Sequence, residues 1–385
     1  MHRPLLIALA GSGLVVSAST AFAEIITVCA SGCEFTSINA AIDASSNGDV
    51  IQLSAETYFE GEQIDTDGKA ITLRGVLDKA GEPASVLDGS GTHRVLTCQS
   101  GEGSGTVFDH LVIQNGLASG GFPDNTGGGM FNNESSSPTL TDCTFTNNTA
   151  DNSGGGMYNY INSSPALTDC TFTSNSADYA GSGMYNVDDS SPTLTNCTFT
   201  SNSADFGGGM INSSRSSPTL TNCTFTNNTA YFDGGGMYNL SSSSPTLTDC
   251  TFTDNSAGDG GGMYNYFNSS PTLTNCTFTD NTAGRGGGMY NESSSSPTLT
   301  DCTFTECCQV VPPRSFVDDG GNDYESWCDD CRADVNCLDN EVNAEDLGYL
   351  LARWDTDDPQ CDLNGDGVVR AADLGLLFAA WGPCD

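Results

Sequence analysis

Positive charge is what this chain has least of. Lys and Arg number 11 against 49 Asp and Glu in 385 residues, a formal net charge of −38. A surface so acidic repels polyanions, which excludes nucleic acid and anionic glycans as partners of the repeats. Histidine is nearly as scarce: beyond the first residues only His93 and His110 remain, so general acid–base chemistry has few carriers. After residue 23 no apolar run is long enough to span a bilayer, and no transmembrane segment is expected in the mature chain. The middle of the chain also lacks the 3.6-residue apolar rhythm of a helix, which rules out a helical solenoid.

What fills the middle is a repeat. Seven copies of a 26- or 27-residue module, GGGMYN…SSPTLTDCTFTNN, run from Gly127 to about Thr305. They are indexed by Met130, Met157, Met184, Met210, Met237, Met263 and Met289, and thirteen residues after each by Cys143, Cys170, Cys197, Cys223, Cys250, Cys276 and Cys302. A period that regular means one unit stacked on itself. Length varies only between each cysteine and the next methionine, in polar stretches such as 148–153, where solvent loops are expected.

Within a copy Thr139–Leu140–Thr141 and Cys143–Thr144–Phe145–Thr146 alternate apolar and polar, the period of a half-buried strand. Gly-Gly-Gly and Ser-Ser-Pro supply bends, and Pro138 opens a strand where a missing amide donor costs least. Short parallel strands at this spacing build a right-handed β-helix with Met130, Leu140, Cys143 and Phe145 pointing inward. Two asparagine series, from Asn132 and from Asn148, can hydrogen-bond coil to coil and occupy left-handed corners. The second breaks at Cys307, which marks the last regular coil. Ten or eleven coils at about 4.8 Å each give a rod on the order of 50 Å long.

The ends differ. Residues 1–23 read as a secretory signal peptide with cleavage before Glu24, which places the mature protein outside the cell. Seventeen cysteines suit an oxidising compartment. Residues 24–126 begin with an amphipathic helix whose Ile38, Ala41 and Ile42 plug the open core, followed by irregular coils. Residues 306–333 are a Cys-containing last coil or linker.

From Asp334 the composition changes: DLGYLLARW at 346–354 matches DLGLLFAAW at 373–381. Leu347, Leu350, Leu351 and Trp354, like Leu374, Leu377, Phe378 and Trp381, fall at helical spacing and predict two packed helices. Ahead of the second stands DLNGDGVVRAAD, in which Asp362, Asn364, Asp366, the Val368 carbonyl and Asp373 give a 12-residue loop the oxygens a calcium ion takes. Asp334, Asn336, Asp339 and Asp346 form a poorer first loop. Cys361 and Cys384 flank the second loop and its helix and suit a disulfide clasp. This region, 334–385, resembles a type I dockerin, a duplicated calcium-loop-plus-helix module whose loops end in Asp. The resemblance implies calcium as cofactor and a cohesin-like or other surface anchor protein as partner, with the protein held at the cell surface.

The pairing of GGGM with Phe-Thr-x-Asn resembles the GGxx and FxxN repeats of polymorphic outer-membrane proteins, which are surface β-helical adhesins. The fold class expected is therefore all-β: a right-handed parallel β-helix, a pectin-lyase-like solenoid, with a small α-helical EF-hand-like domain at its C-terminus. That fold also hosts polysaccharide lyases and glycoside hydrolases. Asp88, His93, Arg94, Asp109 and His110, in the irregular coils, are the only candidates for such chemistry, and no copy departs from the repeat to build a unique cluster. No catalytic residue is assigned, and a non-catalytic adhesion or structural role is expected. A scaffold-attached polysaccharide-binding or polysaccharide-degrading protein is the alternative. Phe131, Tyr158, Tyr185, Tyr238, Tyr264 and Tyr290 should stack on one face, as a sugar platform or as packing under the variable loops. Thr144, Thr146 and their equivalents make a TxT array resembling the faces of β-helical antifreeze proteins, which leaves ice binding as a minor alternative.

Overall fold

The computed structural model describes residues 23–305, 310–311, 316–318, 320–324, 341–342, 344–355, 363 and 368–383. The signal-peptide expectation at 1–22, the Cys361–Cys384 clasp and most of both calcium loops lie outside them.

Within 23–324 the chain winds as a parallel β-solenoid of about ten turns. Each regular coil contributes to four sheets. The TLT sheet has 12 strands, from Ile25–Val28 through Thr139–Thr141 to Val317–Asp318; the TFT sheet has 11, from Thr57–Tyr58 through Thr144–Thr146 to Asp323–Tyr324. The MYN sheet has 10, from Ile64–Asp65 through Met130–Asn132 to Val310–Val311. A seven-stranded sheet, from Leu117–Ala118 to Thr282–Arg285, occupies the stretch expected to be solvent loop. That expectation is corrected: Ala118, Ala150, Ala177 and Ala204 point inward and form a buried column, so the segment packs before it reaches solvent.

Successive coils pair residue on identical residue. Leu140 stands on Leu167, Phe145 on Phe172 and Met130 on Met157. The phenylalanines from Phe145 to Phe304 stack with centroids 4.7 or 4.8 Å apart and ring planes within 6°. Thr144 and Thr146 face outward, half-buried, in the same register. The last strand of each long sheet extends the solenoid one coil past Thr305.

The corners are turned by residues other than those first expected. The left-handed backbone falls one position before each inward group: Asp142 (φ 48°) precedes Cys143, and Asn147 (φ 54°) precedes Asn148. Asp, Asn and Ser fill these positions in every regular coil, because their short polar side chains tolerate that conformation. The asparagines of the Asn148 series are therefore free to point into the core.

There they form a closed network. Asn175 donates from its backbone N and from Nδ2 to Asn202 Oδ1, each at 3.0 Å, and Nδ2 also donates to Phe145 O at 3.0 Å. Asn202 does the same to Asn228, and so on along the rod. The Asn132 series makes a second column, each Nδ2 donating to the next Oδ1 at 2.7–2.9 Å. The Ser-Ser of each Ser-Ser-Pro bend adds two more. Ser190 N donates to Ser216 Oγ one coil ahead, whereas Ser191 N donates to Ser164 Oγ one coil back. Most interior polar groups are thus paired, which offsets the cost of burying them; Asn132 Oδ1 and Ser163 Oγ are exceptions.

The glycines of these bends serve two ends. Gly207 has φ 58°, the left-handed region. A Cβ on Gly209 would sit 2.4 Å from Gly236 O and 2.9 Å from the Phe225 ring, so backbone of the next coil needs that space.

At the N-terminal end helix α1 (Ile38–Ala44) buries Ile38, Ala41 and Ile42 against the first coil, as its spacing predicts. Ser37 caps it, and Glu60 accepts from Ser37 Oγ and Ile38 N at 2.7 Å each. A Cys29–Cys33 disulfide, which the spacing of cysteines did not single out, staples the segment ahead of it. Two helices form after the solenoid, α2 (Ala344–Ala352) and α3 (Ala371–Ala379). Leu350 and Leu377 are buried and Leu347 and Leu374 partly so, but Leu351, Trp354, Phe378 and Trp381 are exposed. Only half of each predicted apolar face is used, because Val342, Leu363 and Val369 take the remaining core positions. Among the described residues no helix is long and apolar enough to cross a membrane.

Candidate functional site

Three places hold side chains that could act. The first is the aromatic column of the MYN sheet. With the methionines inward, Phe131, Tyr158, Tyr185, Tyr238, Tyr264 and Tyr290 do point outward and neighbour one another, interrupted by Ile211. They do not face solvent as a ligand platform would: Tyr158, Tyr238, Tyr264 and Tyr290 are 5–7% exposed. Ala180 and Phe206 from the fourth-sheet side, and Leu240 and Tyr266 at the ends of MYN strands, pack on the rings. Burial pushes the Tyr185 phenol up to about 12, and Tyr264 donates to Glu292 Oε2 at 2.7 Å.

The second place is that covering layer itself, where the copies stop being alike. In coil order it reads Asp178–Tyr179, Asp205–Phe206, Tyr231–Phe232–Asp233, Gly258–Asp259 and Gly284–Arg285. The differences fall in the polar segment between cysteine and methionine where the sequence also varies in length. Register shifts between Ala204 and Phe206 and again between Thr229 and Asp233, a bulge that turns both Tyr231 and Phe232 outward, 73% and 44% exposed. Phe206 stacks on Phe232 at 5.0 Å, and Tyr231 meets Phe232 edge-on at 4.6 Å. Asp233, Asp259 and Arg285 stand in register on successive coils. Arg285 donates from Nε to Asp259 Oδ1 at 2.9 Å and from Nη2 to Oδ2, lies 4.6 Å over the Tyr290 ring, and reaches Tyr290 Oη at 2.7 Å. Half-burial, then the neighbouring Asp259, pushes the Asp233 carboxyl up to about 6. The signal in the sequence was the broken Ala-x-x pattern ahead of each glycine bend, hidden by the assumption of a loop.

The third place is the irregular coils. Asp88 accepts from Gln114 and Asn115 at 2.7 and 2.9 Å, a corner clasp. Arg94 is buried, donates to Pro123, Thr126 and Gly127 carbonyls and to Gln63 Oε1, and covers the Phe131 ring at 4.7 Å; burial pulls its guanidinium down to about 10. Both residues are thereby committed to structure. His93 Nδ1 lies 2.8 Å from Arg94 O. Asp109 and His110 do form a cluster: Asp109 accepts from Arg74 Nε at 3.1 Å and pairs with His110 Nδ1, while His110 Nε2 lies 3.9 Å from Asp142 Oδ2. Burial raises the Asp142 carboxyl above its ordinary range, against the pull of His110.

The cysteine column is closed to solvent. Cys98, Cys143 and the other repeat cysteines to Cys302 are buried free thiols. A hydrogen bond shared with the thiol one coil back, together with burial, pushes Cys223 and Cys250 up to about 12, which keeps them protonated and poor nucleophiles.

Of the proposed calcium ligands, Val368, Asp346 and Asp373 are described. Asp346 and Asp373 are fully buried in the first turns of α2 and α3, and Asp373 Oδ2 accepts from Arg370 N at 2.7 Å. Two buried carboxylates at equivalent helix starts are the hard-oxygen donors that calcium takes, so the described residues fit the ion. Among the described residues no group of three or more His, Cys, Asp or Glu forms a metal cluster.

This architecture defines a parallel β-solenoid protein, and the chain belongs to the right-handed β-helix family. The family profile described as a right handed beta helix region matches residues 97–244 and 179–338. No curated protein matches. Solved structures similar to the chain include pectin methylesterase from carrot, 9% identical over 78% of this chain and 90% of that one with a TM-score of 0.46. Pectin methylesterase from Aspergillus niger is 14% identical over 78% and 90%, TM-score 0.42. Pectate lyase Pel9A is 14% identical over 91% and 90%, TM-score 0.39. At TM-scores below 0.5 these likenesses carry no argument.

Proposed function

We propose that the protein is an exported, surface-associated β-helical rod with an adhesive or structural role, held by a calcium-dependent dockerin-like module at residues 334–385. The observation that carries the reading is the coil-on-identical-coil register of 127–305: each face of the rod repeats one group per coil, a design suited to presenting surface rather than to enclosing one reacting centre. The buried pair Asp346 and Asp373 supports the calcium part. Calcium would be held by Asp362, Asn364, Asp366, the Val368 carbonyl and Asp373, with Asp334, Asn336, Asp339 and Asp346 as a second set, and would supply charge neutralisation to both loops. A cohesin-like or other anchor protein is the partner this predicts.

The test is titration calorimetry of the full chain with calcium beside a Asp362→Asn, Asp373→Asn double variant. Heat of binding in the parent that is lost or halved in the variant is expected; none in the parent defeats the calcium module. The alternative of a polysaccharide-degrading protein draws support from the Asp109–His110–Asp142 cluster. Release of reducing ends or unsaturated products from a polysaccharide panel, abolished by His110→Ala, would replace the non-catalytic reading.

A further inference from the structure

The inner columns of the rod hardly change from coil to coil, so the place where the outer layer changes most is informative. That place is the bulged segment Thr229–Asp233 and the two coils after it. Three features meet there. Tyr231 and Phe232 are exposed to solvent with their rings at right angles, and Phe206 stacks on Phe232. Beyond them no side chain covers the next two rungs, where Gly258 and Gly284 are exposed; a Cβ on Gly258 would meet Phe232 O at 2.6 Å, so the bulged backbone lies directly against that rung. Bordering the bare rungs are the Asp233 and Asp259 carboxylates, with Arg285 fixing Asp259 in place.

A ledge with an aromatic wall and carboxylate oxygens at its border suits a ligand that has an apolar face and hydroxyls on its edge. A pyranose ring is such a ligand: its C–H face stacks on an aromatic ring and its hydroxyls donate to carboxylates. Two bare rungs at about 4.8 Å each span roughly 10 Å, the length of two sugar units. Charge chooses among sugars. Arg285 is already paired with Asp259, and the chain carries −38, so the ledge has nothing to offer a uronate or a sulfate.

We propose that the ledge formed by Tyr231, Phe232, Gly258, Gly284, Asp233 and Asp259 is a binding site for a neutral polysaccharide. Tyr231 stacks on the sugar with Phe232 at right angles to it as a wall, Asp259 and Asp233 accept from its hydroxyls, and Arg285 is a positioning residue for Asp259. The proposal deepens the adhesive-rod reading and rests on it, by naming what the rod adheres to.

Affinity electrophoresis of the whole protein through gels containing xyloglucan, galactomannan, β-glucan or polygalacturonate tests it. Retardation by at least one neutral polymer is expected, weakened at least tenfold by Tyr231→Ala and at least fivefold by Asp259→Asn. Phe122→Ala removes an exposed aromatic outside the ledge and should leave retardation unchanged. Circular dichroism melts of each variant check that the solenoid stays folded. Absence of retardation in every neutral gel, retardation by polygalacturonate alone, or binding that survives both ledge variants overturns the site. New reducing ends appearing during the runs would instead defeat the non-catalytic reading while leaving the binding site in place.

Discussion

The inner columns of the regular coils and the layer folded over the tyrosines are built from the same seven copies, yet they obey different rules. Along Phe145, Phe172 and Phe199, or Asn148, Asn175 and Asn202, nothing changes, because each group's partner is the same group one coil away. A substitution there strands two neighbours at once. Along Ser153, Ala180, Phe206, Asp233, Asp259 and Arg285 almost every coil differs. Where these residues do touch along the rod, as Arg285 touches Asp259, the partner is a different residue type, so no single type has to be kept in every coil. Constancy in this molecule reports mutual dependence, and variation marks where chemistry is free to specialise.

Breaking an inner column should therefore cost most. Asn202→Leu removes the acceptor for Asn175 N and Nδ2, both buried. Two unsatisfied donors at about 1–3 kcal/mol each predict a loss of about 4 kcal/mol, measured by denaturant unfolding. Phe199→Ala opens a cavity between Phe172 and Phe225 and should cost about 3–4 kcal/mol in the same measurement. Cys223→Ala in a core packed this closely should cost less, about 1–2 kcal/mol. In the folded parent, the column from Cys143 to Cys302 should resist alkylation by iodoacetamide at pH 8 and become reactive on unfolding. Rapid labelling of the native thiols would contradict the column as described.

The covering layer should respond to pH more than to truncation. Because the folded Asp233 carboxyl sits at about 6, above its ordinary value near 4, the unfolded chain gives up this proton first as pH rises. Stability is undiminished below about pH 4, falls between about pH 4 and 6, and stays lower above that. Asp233→Asn should erase this segment of the profile and leave the protein more stable than the parent at pH 7 by roughly 1 kcal/mol, after allowance for solvent screening. A variant no more stable than the parent at pH 7 would refute the assignment. Smallest of all, Tyr231→Ala should shift stability by about 0.5 kcal/mol or less, since most of its ring lies in solvent.

Much of the solenoid was legible because its determinants are local and repeated. The period, the inward Leu140, Cys143, Phe145 and Met130, and the plug of Ile38, Ala41 and Ile42 all follow from alternation and helical spacing. The fourth sheet was not, since Ser-Ala and Thr-Ala pairs are too short and small to announce a strand. The assignment of corners to the asparagine series missed by one residue: a left-handed position is chosen by backbone geometry, and both Asn147 and Asn148 are able to fill it. The serine columns were read as bends alone, because their partners lie 26 or 27 residues away in sequence. The candidate site was least legible. Asp233, Asp259 and Arg285 each look like surface charge until stacking brings them onto adjacent coils.

The amide columns bear on how this chain came to have its length. Every Asn side chain asks only for another Asn one period further on, and each inserted or deleted copy meets that request from both sides. Unequal recombination between copies can therefore lengthen or shorten the rod without retuning any residue. The start of one column is marked: Asn132 Oδ1, on the strand that pairs with the coil carrying Cys98, is buried with no hydrogen-bond donor, whereas Asn148 Oδ1 accepts from Gly116 N at 2.9 Å. Descendants of such a gene are free to differ in reach while keeping one cross-section.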